Sequence, residues 1–204
     1  MKSGPGSDAL DNILARHFPG LAPVQVLMVS AEWDGFEAIK VVRDAEGRFW
    51  CYLTFGISDL GEKHGTHPAL SGLGYELTMR VACHAAESTP PGWPITLLNN
   101  LARFLRPQRY DVVDSEPLIF KEPLTVAAPT TLTAVMLADD VQFGYGMDTA
   151  NGYVQFRQVV GITQDEAMFQ AGFGRSALLE KISAVNPFLL TILDRPSVLP
   201  QKGA

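Results

Sequence analysis

Two histidines three residues apart, His64 and His67, and the adjacent pair Cys83-His84 are the residues of this chain best suited to hold a metal. A zinc site needs three or four such ligands held by rigid elements. His64 and His67 lie in a turn-rich stretch, and no partner pair such as CxxC accompanies them. Cys83 and His84 are neighbours on a strand-like segment, so their side chains leave on opposite faces and do not converge on one ion. No metal is expected. The run GFGRSA, Gly172 to Ala177, matches the G-x-G-x-x-A dinucleotide pattern and has Asp194 downstream. That pattern works only after a strand, whereas these glycines follow the helical run DEAMFQA, so they read as a turn between two helices. No cofactor is expected either.

Nucleophilic chemistry fares no better. Ser71 sits in LSGLG, which misses the G-x-S-x-G elbow because Leu70 precedes the serine and no strand leads directly into it. His84 is the available base, yet nothing in the sequence brings the two together. Asp139-Asp140 closes a strand and reads as a solvated turn, while Gly72 and Gly74 read as a tight turn. Asp59, at the end of a strand, and Glu76, early in another, have two readings each. They could be polar contacts to a partner, or Asp59 could cap its own turn while Glu76 pairs with Arg80. No catalytic residue is expected, and the chain reads as a non-enzyme.

The elements that would position these groups follow from periodicity. Residues 1–6 read as a flexible tail. Ser7 or Asp8 caps a helix carrying Leu10, Ile13, Leu14 and Phe18, ended by Pro19-Gly20. Strands are expected at 24–30 and 36–43, then a DAEG turn and a hairpin partner at 48–55. In that partner Phe49, Cys51, Leu53 and Phe55 alternate with Trp50, Tyr52 and Thr54, the pattern of a half-buried strand. The stretch 58–72 reads as a surface loop, 75–83 as a central strand and 85–93 as a loop. Pro94 opens a helix to about Leu105, with Leu97, Leu98, Leu101, Phe104 and Leu105 on one stripe and Trp93 anchoring its start. Strands at 117–120, 131–138 and 152–162 come next. A helix capped by Thr163, a second from about Arg175 to Val185, and a last strand at 188–193 complete the chain. The expected fold is α+β, a mixed sheet covered by a few helices, in one domain over 1–204 with 200–204 as a second tail.

Bulk properties bound the function. A chain of 204 residues, 47% hydrophobic and 19% charged, can bury a sizeable core. The net charge of −6, with basic residues scattered singly, argues against a nucleic-acid partner. Asp8 and Asp11 interrupt any apolar leader, and no apolar run approaches the ~20 residues of a membrane span. Cys51 and Cys83 read as buried thiols in a reducing compartment. A cytoplasmic protein is expected, with no membrane partner.

Three separated blocks carry a resemblance. They are FWCYLTFGISDL from Phe49, SGLGYELTMRV from Ser71, and TPPGWPITLLNNLARFL from Thr89. In this order they resemble the Suppressor of fused family, with the match running over about 48–196. The resemblance implies a protein-binding module and no reaction. In animals it implies a regulator that clamps a short peptide of a Gli-type transcription factor between two domains as an added strand. Only the amino-terminal domain of that clamp is matched here. The family's peptide-lining positions fall on Ala102-Arg103-Phe104 and on Glu116, and Phe104 lacks the hydroxyl of the family's tyrosine. Asp59, in the ISDL block, joins Arg103, Phe104 and Glu116 as a candidate partner contact. Arg103 and Glu116 are expected to flank a groove while Leu97, Leu101 and Phe104 face the core. Short single-domain members are typical of bacteria, where the resemblance implies an immunity or antidote protein masking a toxin. The alternative is a small-molecule-binding or hydrolytic protein using the 58–74 loop.

Overall fold

The computed structural model of the protein describes residues 4–28, 35–83, 87–108 and 116–200. Helix α1 (Pro5–His17) opens it, followed by strands β1 (Val24–Leu27), β2 (Ala38–Arg43), β3 (Phe49–Phe55) and β4 (Leu70–Ala82). Helix α2 (Trp93–Leu105) leads to β5 (Leu118–Ile119), β6 (Leu132–Asp139), β7 (Gly146–Thr149) and β8 (Gly152–Thr163). Helices α3 (Gln164–Phe173) and α4 (Arg175–Val185) close the order. The strands form one open sheet in the order β1-β2-β3-β4-β8-β6-β5, with β7 paired to β8 off this path. Every pairing is antiparallel except β4 with β8, which makes the sheet mixed and the fold α+β.

Strand alternation sorts the core into layers. On one face Phe49, Cys51, Leu53 and Phe55 of β3 pack with Leu10, Leu14 and Phe18 of the α1 region. Ala134, Met136, Val160 and Ile162 of β6 and β8 pack there too, against Leu178 and Ile182 of α4. On the other face Trp50, Tyr52, Leu77 and Met79 meet Leu97, Leu98, Leu101 and Leu105 of α2. The expected sides of β3 are correct, but every one of its residues is buried, so it is not the half-buried strand its alternation suggests. Helices on both faces of the sheet are the reason.

Four boundaries differ from expectation, each for a local reason. Helix α1 starts at Pro5, inside the stretch read as a tail, because the Ser7 hydroxyl closes the turn onto Gly4 N and O at 3.0 and 2.8 Å. Gly6 and Ser7 then donate their amides to Leu60 O. Strand β4 begins at Leu70, within the stretch read as a loop, and β7 is a strand that periodicity misses, its GMDT sequence being too short and polar to signal one. The strand expected at 188–193 does not form. Leu189 adopts φ 51°, and Thr191 alone bridges to Val81. Side chains take the place of a ladder: Gln158 Nε2 donates to Phe188 O and Leu189 O, and Asn186 brackets Leu190 on both sides.

The GFGRSA run is a helix-to-helix turn, as read. Gly174 lies at φ 88°, caps α3 by donating to Gln170 O at 2.7 Å, and starts α4. All eight strands belong to one sheet, which predicts one cooperative unfolding transition by both circular dichroism and tryptophan fluorescence. Two separated transitions would reveal a domain boundary.

Candidate functional site

Helix α2 starts where Pro94 fits, since the first helical turn has no use for its missing N–H. Leu98, Leu101, Ala102 and Leu105 recur at helical spacing and are buried against the sheet. Phe104 is not part of that buried stripe: it is 55% exposed, although it was expected to face the core. It lies seven residues after Leu97 on the same flank of the helix, but Leu97 is covered by the core whereas Phe104 is not. This flank is the wall of a groove of about 790 Å³. Trp93, Leu97, Leu101 and Phe104 form one side, and Leu118, Ile119, Phe120 and Val126 form the other.

Beside the groove lies a sheet edge. Strand β5 pairs with β6 through Leu118–Val135 and Ile119–Ala134, and among the described residues nothing pairs with its other side. Ile119 is 51% exposed and Val126 almost wholly so. Unpaired backbone groups next to apolar walls are what an extended peptide needs, the first for affinity and the second for specificity. Arg103 and Glu116 are both exposed, adjoining in sequence the lining residues Phe104 and Pro117, and neither lines the walls themselves. The structure therefore brings Arg103, Phe104 and Glu116 to one region. Sequence reading missed Ile119, Phe120 and Val126, whose signal was an apolar run interrupted by prolines, PLIF followed by PLTV.

Asp59 lies elsewhere, in a polar cleft of about 1360 Å³ shaped by residues 56–65 with Arg106 and Asn151. Its Oδ2 accepts from the amides of Gly65 at 3.0 Å and Gly72 at 2.8 Å. Gly72 must be glycine for two reasons: φ is 55°, and a Cβ would stand 2.7 Å from Ile57 O. Ser71 is buried, accepts from Asp59 N at 3.0 Å and donates to Asp59 O. The Lys63 ammonium is tied to the carbonyls of Pro68, Leu70 and Asn151. These polar groups shape the loop. His64 is exposed, and among the described residues no three His, Cys, Asp or Glu side chains gather into a metal set. His84 lies outside the described residues.

Glu76 does not pair with Arg80, because four residues along a strand separate side chains by roughly 13 Å. Instead its carboxylate, wholly buried, pins the start of the polar loop. Oε1 accepts from Gly56 N, Ser58 N and Ser58 Oγ at 3.0, 2.9 and 2.6 Å, and Oε2 accepts from Thr54 Oγ1 at 2.6 Å. Burial pushes this carboxyl up to about 7 against the opposing pull of those hydrogen bonds, Ser58 and Thr54 foremost. Arg80 pairs with Asp140, two bonds at 2.9 and 2.8 Å between side chains that are both 0% exposed. Thr78 Oγ1 and the amides of Gln142 and Phe143 also donate to Asp140. The pair Asp139-Asp140 is thus no solvated turn. Only Asp139 is exposed, and it meets Arg157 across the strands.

The family model for Suppressor of fused protein (SUFU) matches residues 23–196. It begins well before the expected residue 48, because β1 and β2 belong to the same sheet although they carry no motif. The human and mouse Suppressor of fused homologs are each 27% identical over an alignment of 192 positions that covers 85% of this chain. The chain spans only 39% of the length of those curated relatives. Among solved structures, a chain of the Sufu–Fu complex crystal structure aligns with a TM-score of 0.83 at 25% identity, covering 97% of this chain and 93% of its own. The SUFU homolog from Neisseria gonorrhoeae FA 1090 shares the fold, with a TM-score of 0.67 at 16% identity over 96% of this chain and 98% of that one.

Proposed function

The chain belongs to the Suppressor of fused family, and from that membership we propose that it is a non-enzymatic protein-binding module capturing an extended segment of a partner protein between α2 and β5. The observation that carries this reading is the exposed apolar groove meeting an unpaired strand edge. The 25%-identical relative is a Sufu solved in complex with Fu, a precedent for partner binding in the family. The chain spans 39% of the length of the human homolog, and the groove lies wholly within that span. Apolar anchors at Phe104 and Val126 supply desolvation energy, Ile119 offers the unpaired strand edge, and Arg103 and Glu116 at the margin select the partner's charges.

The biological role we assign is that of an immunity or antidote protein, masking a toxin in the cytoplasm. It rests on the family's short bacterial members, and the Neisseria homolog shows only that the fold occurs at this length. The net charge of −6 disfavours nucleic acid, and no helix among the described residues is long and apolar enough to cross a membrane. The alternative, small-molecule or hydrolytic chemistry in the 58–74 loop, gains nothing from a cleft whose Asp59, Ser71 and Lys63 already serve the loop.

Affinity capture from the native host, with mass spectrometry, tests the reading. Wild-type bait and Glu116→Lys bait are run side by side. A protein enriched on the first and depleted on the second is the expected result, with both baits equally stable, because exposed substitutions shift stability by about 0.5 kcal/mol or less. Equal recovery on both would remove Glu116 from the site.

A further inference from the structure

We propose that the outer edge of β1, at the opposite end of the sheet from the groove, pairs with the same edge of a second copy of this chain. Strand β1 binds β2 through the register Val24–Val41, Gln25–Lys40, Val26–Ile39 and Leu27–Ala38. Met28 donates its amide to Glu37 O at 2.9 Å. Backbone direction alternates along an antiparallel strand, so Val24 and Val26 likewise point their N–H and C=O at β2. Gln25 and Leu27 point theirs away from it, and among the described residues no strand meets them.

Edges of this kind are normally protected by lysine, an inward charge or a bulge. Here residues 21–28, LAPVQVLM, carry no charge. The register with β2 is free of bulges, and Pro23 blunts only the entry to the strand. Val24 and Leu27 are 47% and 46% exposed.

A second copy fits this edge because the pattern is its own complement. An antiparallel match centred on Val26 sets Gln25 of each copy opposite Leu27 of the other. All four outward N–H groups and all four outward carbonyls on the two copies' Gln25 and Leu27 are then satisfied. Two chains of net charge −6 repel at a distance, but the contact itself brings no carboxylate together. Four residues a side bury far less than the roughly 1,200 Å² of a standard interface, so association is weak and reversible.

Sedimentation velocity from about 10 μM to 1 mM, the range of weak contacts, reads this out. The expected result is a reversible shift from the 22.2 kDa monomer toward twice that mass. The double variant Val24→Lys with Leu27→Lys, at exposed positions, should weaken association at least about tenfold while keeping the wild-type melting curve. Register is tested by oxidative cross-linking in a Cys83→Ser background. Across the two-fold axis the Val26 Cα atoms stand about 4.5 Å apart, within disulfide reach, so Val26→Cys should form a covalent dimer and Gln25→Cys should not. A wild-type chain monomeric to 1 mM would overturn the proposal. So would a double-lysine variant that associates like wild type, or Gln25→Cys cross-linking as fast as Val26→Cys.

Discussion

Replacing Asp140 with alanine is expected to destabilise the protein by about 3–5 kcal/mol, a large part of the stability of an ordinary domain. The guanidinium of Arg80 is inaccessible, and Asp140 neutralises it through two parallel bonds. Burial by itself would raise the Asp140 carboxyl, but the charge of Arg80 and the donated hydrogen bonds outweigh it and hold the group ionised, below the usual carboxylate range. Alanine would leave a buried cation uncompensated, and the amides of Gln142 and Phe143 and the Thr78 hydroxyl would lose their acceptor. Urea denaturation of Asp140→Ala beside Asp44→Ala provides the contrast. Asp44 pairs with Arg48 at the surface, where solvent screens the bridge and a far smaller loss is expected. A double replacement, Arg80→Met with Asp140→Leu, should recover much of the loss, because no unpaired charge then remains. Equal effects of Asp140→Ala and Asp44→Ala would show that the buried pair is not what holds this region.

The second large effect concerns pH. Glu76 titrates near 7 in the folded chain and near 4.5 in its ordinary state. The folded protein therefore holds this proton more tightly than the unfolded chain does. Its contribution to stability is greatest below pH 4.5, falls as pH rises to about 7, and is flat above. A shift of this size corresponds to about 3 kcal/mol at most. Asp44, Asp165 and Glu166 have depressed values and act in the opposite sense, losing stability as pH falls below the usual carboxylate range. Glu76→Gln keeps an acceptor for the Gly56 and Ser58 amides and removes the titration. Denaturation midpoints between pH 5 and 8 should thus decline for wild type relative to Glu76→Gln, in which His17, held below its ordinary value by burial, still acts in the opposite sense. Parallel curves would mean that Glu76 is ionised throughout this range.

What could be read from the sequence divides along physical lines. The alternation in β3, the helical leucines of α2 and the Thr163 cap are local patterns, and each stands where periodicity puts it. Phe104 was misjudged because a stripe seven residues long spans both the contact line of a helix and its flank, and only the neighbouring segment decides which is covered. The partners of Glu76 and Arg80 were misjudged because they lie 18 to 62 residues away in sequence. The FLLTIL run has strand composition, yet Gln158 and Asn186 capture its carbonyls, a tertiary contact no periodicity reveals. The groove followed from the family resemblance as a location, whereas its far wall at Ile119, Phe120 and Val126 required the fold.

The most direct test of partner capture by the α2–β5 groove is the affinity of the protein recovered from the native host for three forms of this chain, measured by calorimetry. Ile119→Asp places a charge beside the unpaired edge of β5, and Phe173→Asp makes the same change at an equally apolar, 73% exposed site on α3. Capture by this groove predicts at least about a hundredfold weaker binding for Ile119→Asp, because a charge on the edge opposes strand pairing there, with Phe173→Asp indistinguishable from wild type and all three melting alike. Unchanged affinity for Ile119→Asp, or an equal loss for Phe173→Asp, would contradict it.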